Sequence, residues 1–191
     1  MPELPLAELS VKEYLARLGS AEPTPGGGSA AALVGALAAS LGRMVCALTQ
    51  GRPKFAAVEE QVRQLASRFT RAAAMLQHLI DEDAAAYAEL SAAFKLPRDD
   101  AARGERVSAA AGLAAAVPLE TMTISQQVWH DLRRLESVGN PALKPDVLAG
   151  QHLALAAARA AEANVRANLP FLESGERERL EQQLTHRVED P

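Results

Sequence analysis

The longest uninterrupted helical pattern limits the folds that this chain can adopt. From Phe55 to about Leu96 the sequence contains no Gly or Pro, and its larger apolar residues recur at three- and four-residue spacing. An unbroken helix of that length would be roughly 60 Å long, twice the width of a small domain. We therefore expect this helix either to bend or to extend along another subunit, and we expect Pro97 to end it.

The rest of the chain also has helical patterns. No period-two alternation is sustained, so no segment is predicted to be a strand. Further helices are predicted over residues 6–18, 29–49, 99–117, 118–137, 145–169 and 174–188. Pro118 is expected either to kink a helix or to start a new one. The chain is thus predicted to be all-α, a bundle of long, partly kinked helices, with residues 1–191 forming one domain.

The helix predicted over residues 29–49 is apolar on all sides. One face carries the large residues Leu33, Leu37, Leu41, Met44 and Leu48, and the opposite face carries the small residues Ala31, Gly35, Ala38, Gly42 and Cys46. This pattern predicts a central helix that is packed on both sides. Since aromatic residues make up only 4% of the chain, the core must rely on close helix approach or on a partner chain.

Charge and composition exclude several classes of function. The net charge of −4 argues against binding to nucleic acid, and a single cysteine, Cys46, excludes an intrachain disulfide. Glu3 stands where a signal peptide would carry Lys or Arg, and the most apolar stretch, Gly26 to Gly42, is shorter than a membrane span. We therefore expect a cytoplasmic protein without a membrane or nucleic-acid partner.

Asp83 is the first candidate for chemistry. On an ideal helix it lies at nearly the same angle as Leu76 and Leu90, whereas Asp81 points almost the opposite way. A carboxylate on a buried apolar face is costly unless it is paired, so its position suggests a functional group. A paired structural aspartate, or one that reaches solvent where the helix bends, would explain it as well.

Asn164 and Asn168 form a second candidate pair. They are four residues apart and share the apolar face of the helix predicted over residues 145–169. Each buried amide needs partners for its NH₂ and C=O groups, so amides that tie helices together are the simpler explanation. Asp146 falls on the same face, although a helix N-cap would explain it almost equally well.

The loop formed by Gly26, Gly27 and Gly28 leads to Ser29, a natural N-cap. Free N–H groups at a helix N-terminus can bind an anion, but the loop lacks the ending of a P-loop and follows no strand. Tight packing is the alternative explanation. Lys95 lies at the end of the long helix, where solvation alone would account for it. The sequence shows no metal-ligand spacing, so no metal site is predicted.

Several segments together resemble the cyclodeaminase/methenyltetrahydrofolate cyclohydrolase family, which includes the C-terminal domain of formiminotransferase-cyclodeaminase. The segments are Pro23-Thr24-Pro25-Gly26-Gly27-Gly28-Ser29-Ala30-Ala31, Met44-Val45, Leu48-Thr49, Gly51, Asp81-Glu82-Asp83-Ala84, Tyr87, Phe94-Lys95-Leu96-Pro97, Ala116-Val117-Pro118-Leu119, Gly139-Asn140-Pro141, Asp146 and Asn164-Val165-Arg166-Ala167-Asn168-Leu169. Their order and spacing span most of the chain.

The resemblance implies an α-helical homodimer with a folate cleft between helices. It also implies one of two reactions: hydrolysis of 5,10-methenyltetrahydrofolate to 10-formyltetrahydrofolate, or ring closure of 5-formiminotetrahydrofolate with release of ammonia. Both pass through a tetrahedral carbon and move protons without a metal or any cofactor beyond the folate itself.

The resemblance assigns roles to the candidate residues. Asp83 would stabilise the cation and take a proton, while Asn164 and Asn168 would orient the pterin or the water. Lys95 and the loop formed by Gly26, Gly27, Gly28 and Ser29 would hold the glutamate carboxylates. Asn140 and Asp146 are further substrate-binding candidates.

One departure from the family pattern bears on activity. After Asp146 the family usually has a Leu-Gly-Val-Ala run, where this chain has Val147-Leu148-Ala149-Gly150. If that glycine lets substrate approach the helix, Leu148 puts catalysis in question. A folate-binding dimer without turnover and a purely structural helical dimer therefore remain as alternatives.

Overall fold

The computed structural model describes residues 4–184, and this part of the chain contains helices but no strand. The α-helices are α1 (Val11–Leu18), α2 (Gly27–Thr49), α3 (Glu59–Phe94), α4 (Arg103–Val138), α5 (Lys144–Asn168) and α6 (Ser174–Leu184). Short 3-10 turns occupy Leu6–Glu8, Pro53–Val58, Pro141–Leu143 and Leu169–Phe171. The predicted all-α bundle of long helices is confirmed.

The predicted starts of α1 and α3 differ from the structure. The N-terminal helix begins only at Val11, because Ser10 and Glu13 form a capping box in which each side chain bonds the other residue's backbone N–H. The long helix begins at Glu59 rather than Phe55, after a 3-10 turn. The predicted end of the last helix near Val188 lies outside the described residues.

Helix α4 runs without interruption through Pro118. It begins at Arg103 rather than Asp99, and the two predicted segments on either side of the proline are one helix. Because proline has no N–H group, the carbonyl of Ala114, four residues earlier, cannot receive its helical hydrogen bond. The group that satisfies this carbonyl lies in the functional site.

A seam of glycines holds α2 against α3. At intervals of seven residues, Gly28, Gly35 and Gly42 of α2 face Asp83, Leu76 and Phe69 of α3. A Cβ atom at Gly42 would lie 2.7 Å from a ring carbon of Phe69, closer than real Cβ atoms approach. The pairs run in opposite directions along the two helices, so α2 and α3 are antiparallel and their register is fixed by these contacts.

The opposite face of α2 is covered only in part by the described residues of this chain. Leu37 is 50% exposed, and Met44 and Leu48 are exposed as well, whereas the small residues Ala38 and Cys46 are buried. The prediction that this helix is packed on both sides holds only in part for the single chain, because Leu33 packs against the cluster that includes Leu6 and Tyr14 whereas Leu37, Met44 and Leu48 stay exposed. An apolar stripe of large side chains is left facing outward.

By length and composition alone, α2 and α4 would each suffice to cross a membrane. Half of the apolar window in α2 is buried inside the bundle, which is also typical of a core helix in a soluble protein. Helix α2, at residues 27–49, is longer than the apolar stretch from Gly26 to Gly42 that was judged too short for a membrane span. The absence of a membrane partner therefore stays a prediction.

The glycine seam makes a prediction about stability. Gly42→Val should lower the free energy of unfolding by about 1–3 kcal/mol, because its side chain would overlap the buried ring of Phe69. Gly104→Ala is the control, since a Cβ there meets nothing within 4 Å and we expect no loss. Urea denaturation at neutral pH measures both, and equal midpoints for the two variants would show that the seam is not tightly packed.

Candidate active site

A cleft of about 200 Å³ opens where α2 begins, beside the last third of α3 and the end of α5. Its lining residues include the glycine loop and four polar or aromatic side chains: Gly26, Gly27, Gly28, Asp83, Tyr87, Asn164 and Asn168. Ala114 of α4 contributes to one wall. The structure therefore brings together all three residues predicted to be catalytic and most of the predicted loop.

Three consecutive acidic residues of α3 have separate surroundings. Asp81 accepts hydrogen bonds from the backbone N–H groups of Leu6 and Ala7 and so ties the N-terminal segment to α3. Glu82 pairs with His78 one turn earlier. Only Asp83 faces the cleft, as its helical angle predicts.

The position of Asp83 depends on the glycine opposite it. A Cβ atom at Gly28 would overlap the carboxylate, so only a glycine allows Asp83 to approach the first turn of α2. There, the backbone N–H of Ser29 donates to Asp83 Oδ2 at 2.8 Å. The positive end of the α2 dipole also faces this carboxylate. Its other oxygen, Oδ1, accepts no hydrogen bond from the described residues.

The pKa of Asp83 is raised above its ordinary value. Burial raises it by disfavouring the charged carboxylate, and the hydrogen bond from Ser29 N–H lowers it by a smaller amount. Within the described residues, Asp83 has no cationic partner. It is thus a carboxylate of raised proton affinity at the wall of an open cleft.

A second buried carboxylate, Asp131 of α4, shows the structural alternative. Burial raises the pKa of its side chain too, but Arg68 Nε lies 2.9 Å away and Gln127 donates a further hydrogen bond. Asp131 is not among the residues predicted from the sequence to carry chemistry. The difference supports a chemical role for Asp83, since a purely structural buried carboxylate is expected to have such partners.

Ser29 does not cap α2 and does not line the cleft. The helix begins two residues earlier, with Gly26 as its N-cap, and Ser29 is fully buried in the first turn. Its hydroxyl is 3.1 Å from the hydroxyl of buried Tyr14. The prediction that Ser29 binds substrate is corrected: its side chain connects α1 to α2, and its backbone N–H holds Asp83.

Asn164 packs against the backbone of the glycine loop. Its Nδ2 donates to the carbonyl of Ala160 at 2.8 Å, and a Cβ at Gly27 would lie 3.2 Å from that nitrogen. Its Oδ1 has no partner among the described residues and can accept a hydrogen bond from a ligand. Asn164 therefore lines the cleft beside the glycine loop.

Asn168 explains how α4 accommodates its proline. Asn168 Nδ2 donates to the carbonyl of Ala114 at 2.9 Å, the carbonyl left without a helical partner by Pro118, and to the carbonyl of Asn164 at 3.0 Å. Both amide hydrogens are thus used to tie α5 to α4. This contact favours the structural explanation for Asn168, leaving only its oxygen for a ligand.

Three other predicted binding residues lie outside the cleft. Lys95 is exposed at the C-terminus of α3. Asn140 bonds the end of α2 through its backbone N–H and Thr49, and Asp146 lies in the first turn of α5. Both belong to the opposite end of the bundle, roughly 30 Å from the start of α2. The structure does not bring Asn140 or Asp146 to the cleft of the same chain.

The departure at Leu148 is also remote from the cleft. Leu148 lies in the first turns of α5, partly buried, far from Asn164 on the same helix. Close packing in that region occurs at Gly150 instead, where a Cβ atom would lie 3.1 Å from the side chain of Leu132. Leu148 therefore does not obstruct the approach to Asp83 in this chain.

Tyr87 was overlooked as a site residue. It lies one helical turn after Asp83 and shares the cleft with it. The four-residue spacing from Asp83 was a signal that could have identified it. No group of three or more His, Cys, Asp or Glu side chains suited to a metal occurs among residues 4–184.

Comparison with known proteins identifies the family. The sequence pattern of the family described as formiminotransferase-cyclodeaminase matches residues 10–189, nearly the whole chain. The chain belongs to the formiminotransferase-cyclodeaminase family. The resemblance inferred from the sequence segments is thereby confirmed.

Two curated members of the formiminotransferase-cyclodeaminase family match different shares of their own length. The chain is 37% identical over 150 residues to the formimidoyltransferase-cyclodeaminase of Rattus norvegicus, covering 76% of this chain but only 28% of that protein. It is 32% identical over 168 residues to the methenyltetrahydrofolate cyclohydrolase of Methylorubrum extorquens, covering 86% and 81%.

A solved structure has the same fold. The formiminotetrahydrofolate cyclodeaminase of Thermotoga maritima superposes with a TM-score of 0.86 and 27% identity, covering 93% of this chain and 87% of that one. The architecture of this family member is thus shared over nearly its full length.

The role of Asn168 can be tested by changing its amide to a carboxylate. Asn168→Asp removes the NH₂ donor while keeping the shape, and leaves the Ala114 carbonyl unsatisfied. We expect the free energy of unfolding to fall by about 1–3 kcal/mol in urea denaturation.

The matched control is Asn140→Asp. Asn140 uses its side-chain oxygen to accept from Ala142 N–H, which a carboxylate can also do, so stability should be almost unchanged. Equal losses in the two variants would exclude the proposed repair of the α4 helix by Asn168.

Proposed function

We propose that this protein hydrolyses 5,10-methenyltetrahydrofolate to 10-formyltetrahydrofolate. The single observation that carries the proposal is Asp83, a half-buried carboxylate that lines an open cleft and has no cationic partner among residues 4–184. The relative from Methylorubrum extorquens, whose name describes this reaction, matches most of both chains. The substrate carries a positive charge on its N5–CH–N10 bridge, which complements a buried carboxylate.

The reaction can be written with the groups of the cleft. Water attacks the bridge carbon, and Asp83 takes the proton that the water loses. The tetrahedral carbon then releases N5, which accepts a proton, while the remaining hydroxyl loses its proton to become the formyl carbonyl on N10. The products are neutral 10-formyltetrahydrofolate and one proton, which balances the charge of the cationic substrate.

The glycine loop and Asn164 would position the substrate. Oδ1 of Asp83 and Oδ1 of Asn164 are both free to accept hydrogen bonds, so they can orient the attacking water or a ring N–H group of the pterin. Because Gly27 and Gly28 have no side chains, only backbone atoms form this wall of the cleft, and a planar ring can approach the side chains of Asp83 and Asn164. The reaction as written uses no metal and no further cofactor.

Cyclodeamination of 5-formiminotetrahydrofolate is the second candidate. The solved Thermotoga maritima relative bears that name and shares the fold at a TM-score of 0.86. The same carboxylate would then take the proton from N10 as this nitrogen attacks the carbon of the protonated formimino group, and would pass it to the amino nitrogen. The bond from the carbon to that nitrogen then breaks, which releases ammonia and leaves the cationic N5–CH–N10 bridge. Ammonia release distinguishes this reaction from hydrolysis, which produces none.

The protein is also proposed to act as a homodimer. Leu37, Met44 and Leu48 form an outward stripe on α2, and Leu37 lines one groove with exposed Val11 and Leu15 of α1. Contiguous apolar surface of this kind is typical of an interface. A second copy of the chain would complete the packing that the sequence pattern of α2 predicts on its large-residue face.

Asp83→Asn tests the catalytic proposal. We expect hydrolysis of methenyltetrahydrofolate, followed by its absorbance, to fall at least about 100-fold, because the amide cannot accept a proton. For the native enzyme, turnover should decrease as pH falls through the pKa of Asp83, which lies above the ordinary carboxyl value of 3.8. Undiminished turnover in a folded Asp83→Asn protein would exclude Asp83 as the base.

Stability provides the control for this variant. A raised carboxyl pKa means that folding favours the protonated form, so ionisation of Asp83 destabilises the fold as pH rises from 3.8 through the folded pKa. Asp83→Asn should therefore be at least as stable as the native protein at neutral pH, with the difference vanishing in acid. Folate binding without turnover by the native protein would instead indicate the non-catalytic alternative.

Charges on the outer face of α2 test the homodimer. The double variant Leu37→Lys, Met44→Lys should dissociate to monomers in sedimentation velocity, since two buried lysines would face each other across the interface. Met75→Lys, at an exposed apolar position on α3, is the control and should keep the native mass. A native protein that sediments as a monomer would contradict the proposal directly.

A further inference from the structure

The exposed aromatic residues of this chain lie along one edge. Of its seven aromatic side chains, Tyr14, Phe69 and Trp129 are buried and Phe55 is partly buried. The three exposed ones are Tyr87, Phe94 and Phe171, at 46%, 38% and 42%. We call these three residues the aromatic strip. In a chain so poor in aromatics, their grouping is a feature of the site rather than of the core.

The aromatic strip continues both walls of the cleft in the same direction. On α3, Tyr87 lies one turn beyond Asp83, and Phe94 lies two turns further on the same face. On the other wall, Phe171 follows Asn168 in the 3-10 turn after α5. The two walls meet where the rings of Phe94 and Phe171 pack edge to face, with centroids 4.9 Å apart. The strip therefore extends roughly 16 Å from Asp83 along the axis of α3.

The cleft alone is too small for a whole folate. Its volume of about 200 Å³ is below the roughly 300–1,000 Å³ of pockets that enclose drug-sized ligands. A substrate with its one-carbon bridge at Asp83 must therefore extend beyond the cleft. The aromatic strip is the apolar surface that continues it.

Charge indicates which end of the substrate lies along the strip. Lys95 and Arg98 are exposed just beyond Phe94. Acidic residues also lie near this end: Asp100 accepts a hydrogen bond from Ala102 N–H, while Asp99 and, two residues after Phe171, Glu173 are exposed. Arg103 crosses the end of α3 and donates to the carbonyls of Phe94 and Leu96. The basic end complements a group that carries carboxylates, which the pterin lacks.

We propose that the aromatic strip is the binding subsite for the p-aminobenzoyl group of the substrate, with its glutamate carboxylates directed toward Lys95 and Arg98. This inference rests on the proposed function of the cleft. Tyr87 packs against the aryl ring next to N10, and the Phe94–Phe171 pair borders the amide and the first glutamate. The predicted tail-binding role of Lys95 is thereby placed outside the cleft, at the far end of the strip.

Two fragments of the substrate test the subsite. The native enzyme should be inhibited competitively by p-aminobenzoylglutamate and by 6-methyltetrahydropterin. Tyr87→Leu and Phe94→Leu should each raise the KM for methenyltetrahydrofolate and the inhibition constant of p-aminobenzoylglutamate roughly tenfold, because the aryl contact is lost. In Phe94→Leu the kcat and the inhibition constant of the pterin fragment should stay within about twofold, since Phe94 lies two turns beyond Tyr87 and does not line the cleft.

Met75→Leu is the matched control. Met75 lies on the same helix at 47% exposure, outside the cleft and the strip, and the variant should leave both inhibition constants unchanged. Circular dichroism and sedimentation velocity confirm that each variant keeps its fold and mass. A change in mass with unaltered KM would assign the strip to a protein contact and overturn the proposal.

The outcomes separate this inference from the proposed function. Turnover by the native enzyme with unchanged KM in both leucine variants would overturn the subsite and leave the function intact. Weaker inhibition by the pterin fragment alone would reverse the orientation and also overturn it. If the native protein turns over neither folate, calorimetric titration with p-aminobenzoylglutamate still decides, because native binding that is lost in Tyr87→Leu supports the subsite and no native binding refutes it.

Discussion

Helix α2 can lie close to α3 because glycine recurs at every seventh position on its inner face. Each of these glycines accommodates a larger partner: Asp83, Leu76 or Phe69. Two of the partners are apolar and build the core in the ordinary way. The third is a carboxylate, so the spacing that packs the core also carries Asp83 to the first turn of α2. The core contacts and the site contact follow one another along the interface of α2 and α3, so the register of the two helices determines both.

Most polar groups around the cleft are already used by the protein. The hydroxyl of Ser29 bonds Tyr14, the amide hydrogens of Asn168 bond two carbonyls, and Asp81 holds the N-terminal segment. What remains for a ligand is one oxygen each on Asp83, Asn164 and Asn168, together with the hydroxyls of Thr24 and Tyr87 that line the same cleft. A site that offers acceptors without a fixed cation suits a positively charged substrate, and this is the property that connects the geometry to the folate bridge.

Much of the architecture follows from local pattern. The helical periods, the prolines and the position of Asp83 on its face could all be predicted, because each depends on residues within a few turns of one another. The contacts that were missed depend on segments far apart in the chain. No local rule relates Pro118 to Asn168, and none shows that Asn140 and Asp146 lie at the other end of the bundle. The exposed face of α2 was misjudged because apolar composition alone does not distinguish contact within a chain from contact with a second one.

The bond between Asn168 and Ala114 links two positions that are distant in sequence. Pro118 opens the hydrogen-bond ladder of α4, and an amide from α5 closes it. A substitution of the proline would restore the backbone N–H that donates to the Ala114 carbonyl, so Asn168 would no longer be needed as its donor. A substitution at Asn168 alone would leave that carbonyl without a donor. The order in which the two residues can change during evolution is therefore constrained: the proline can be lost first, but the asparagine cannot.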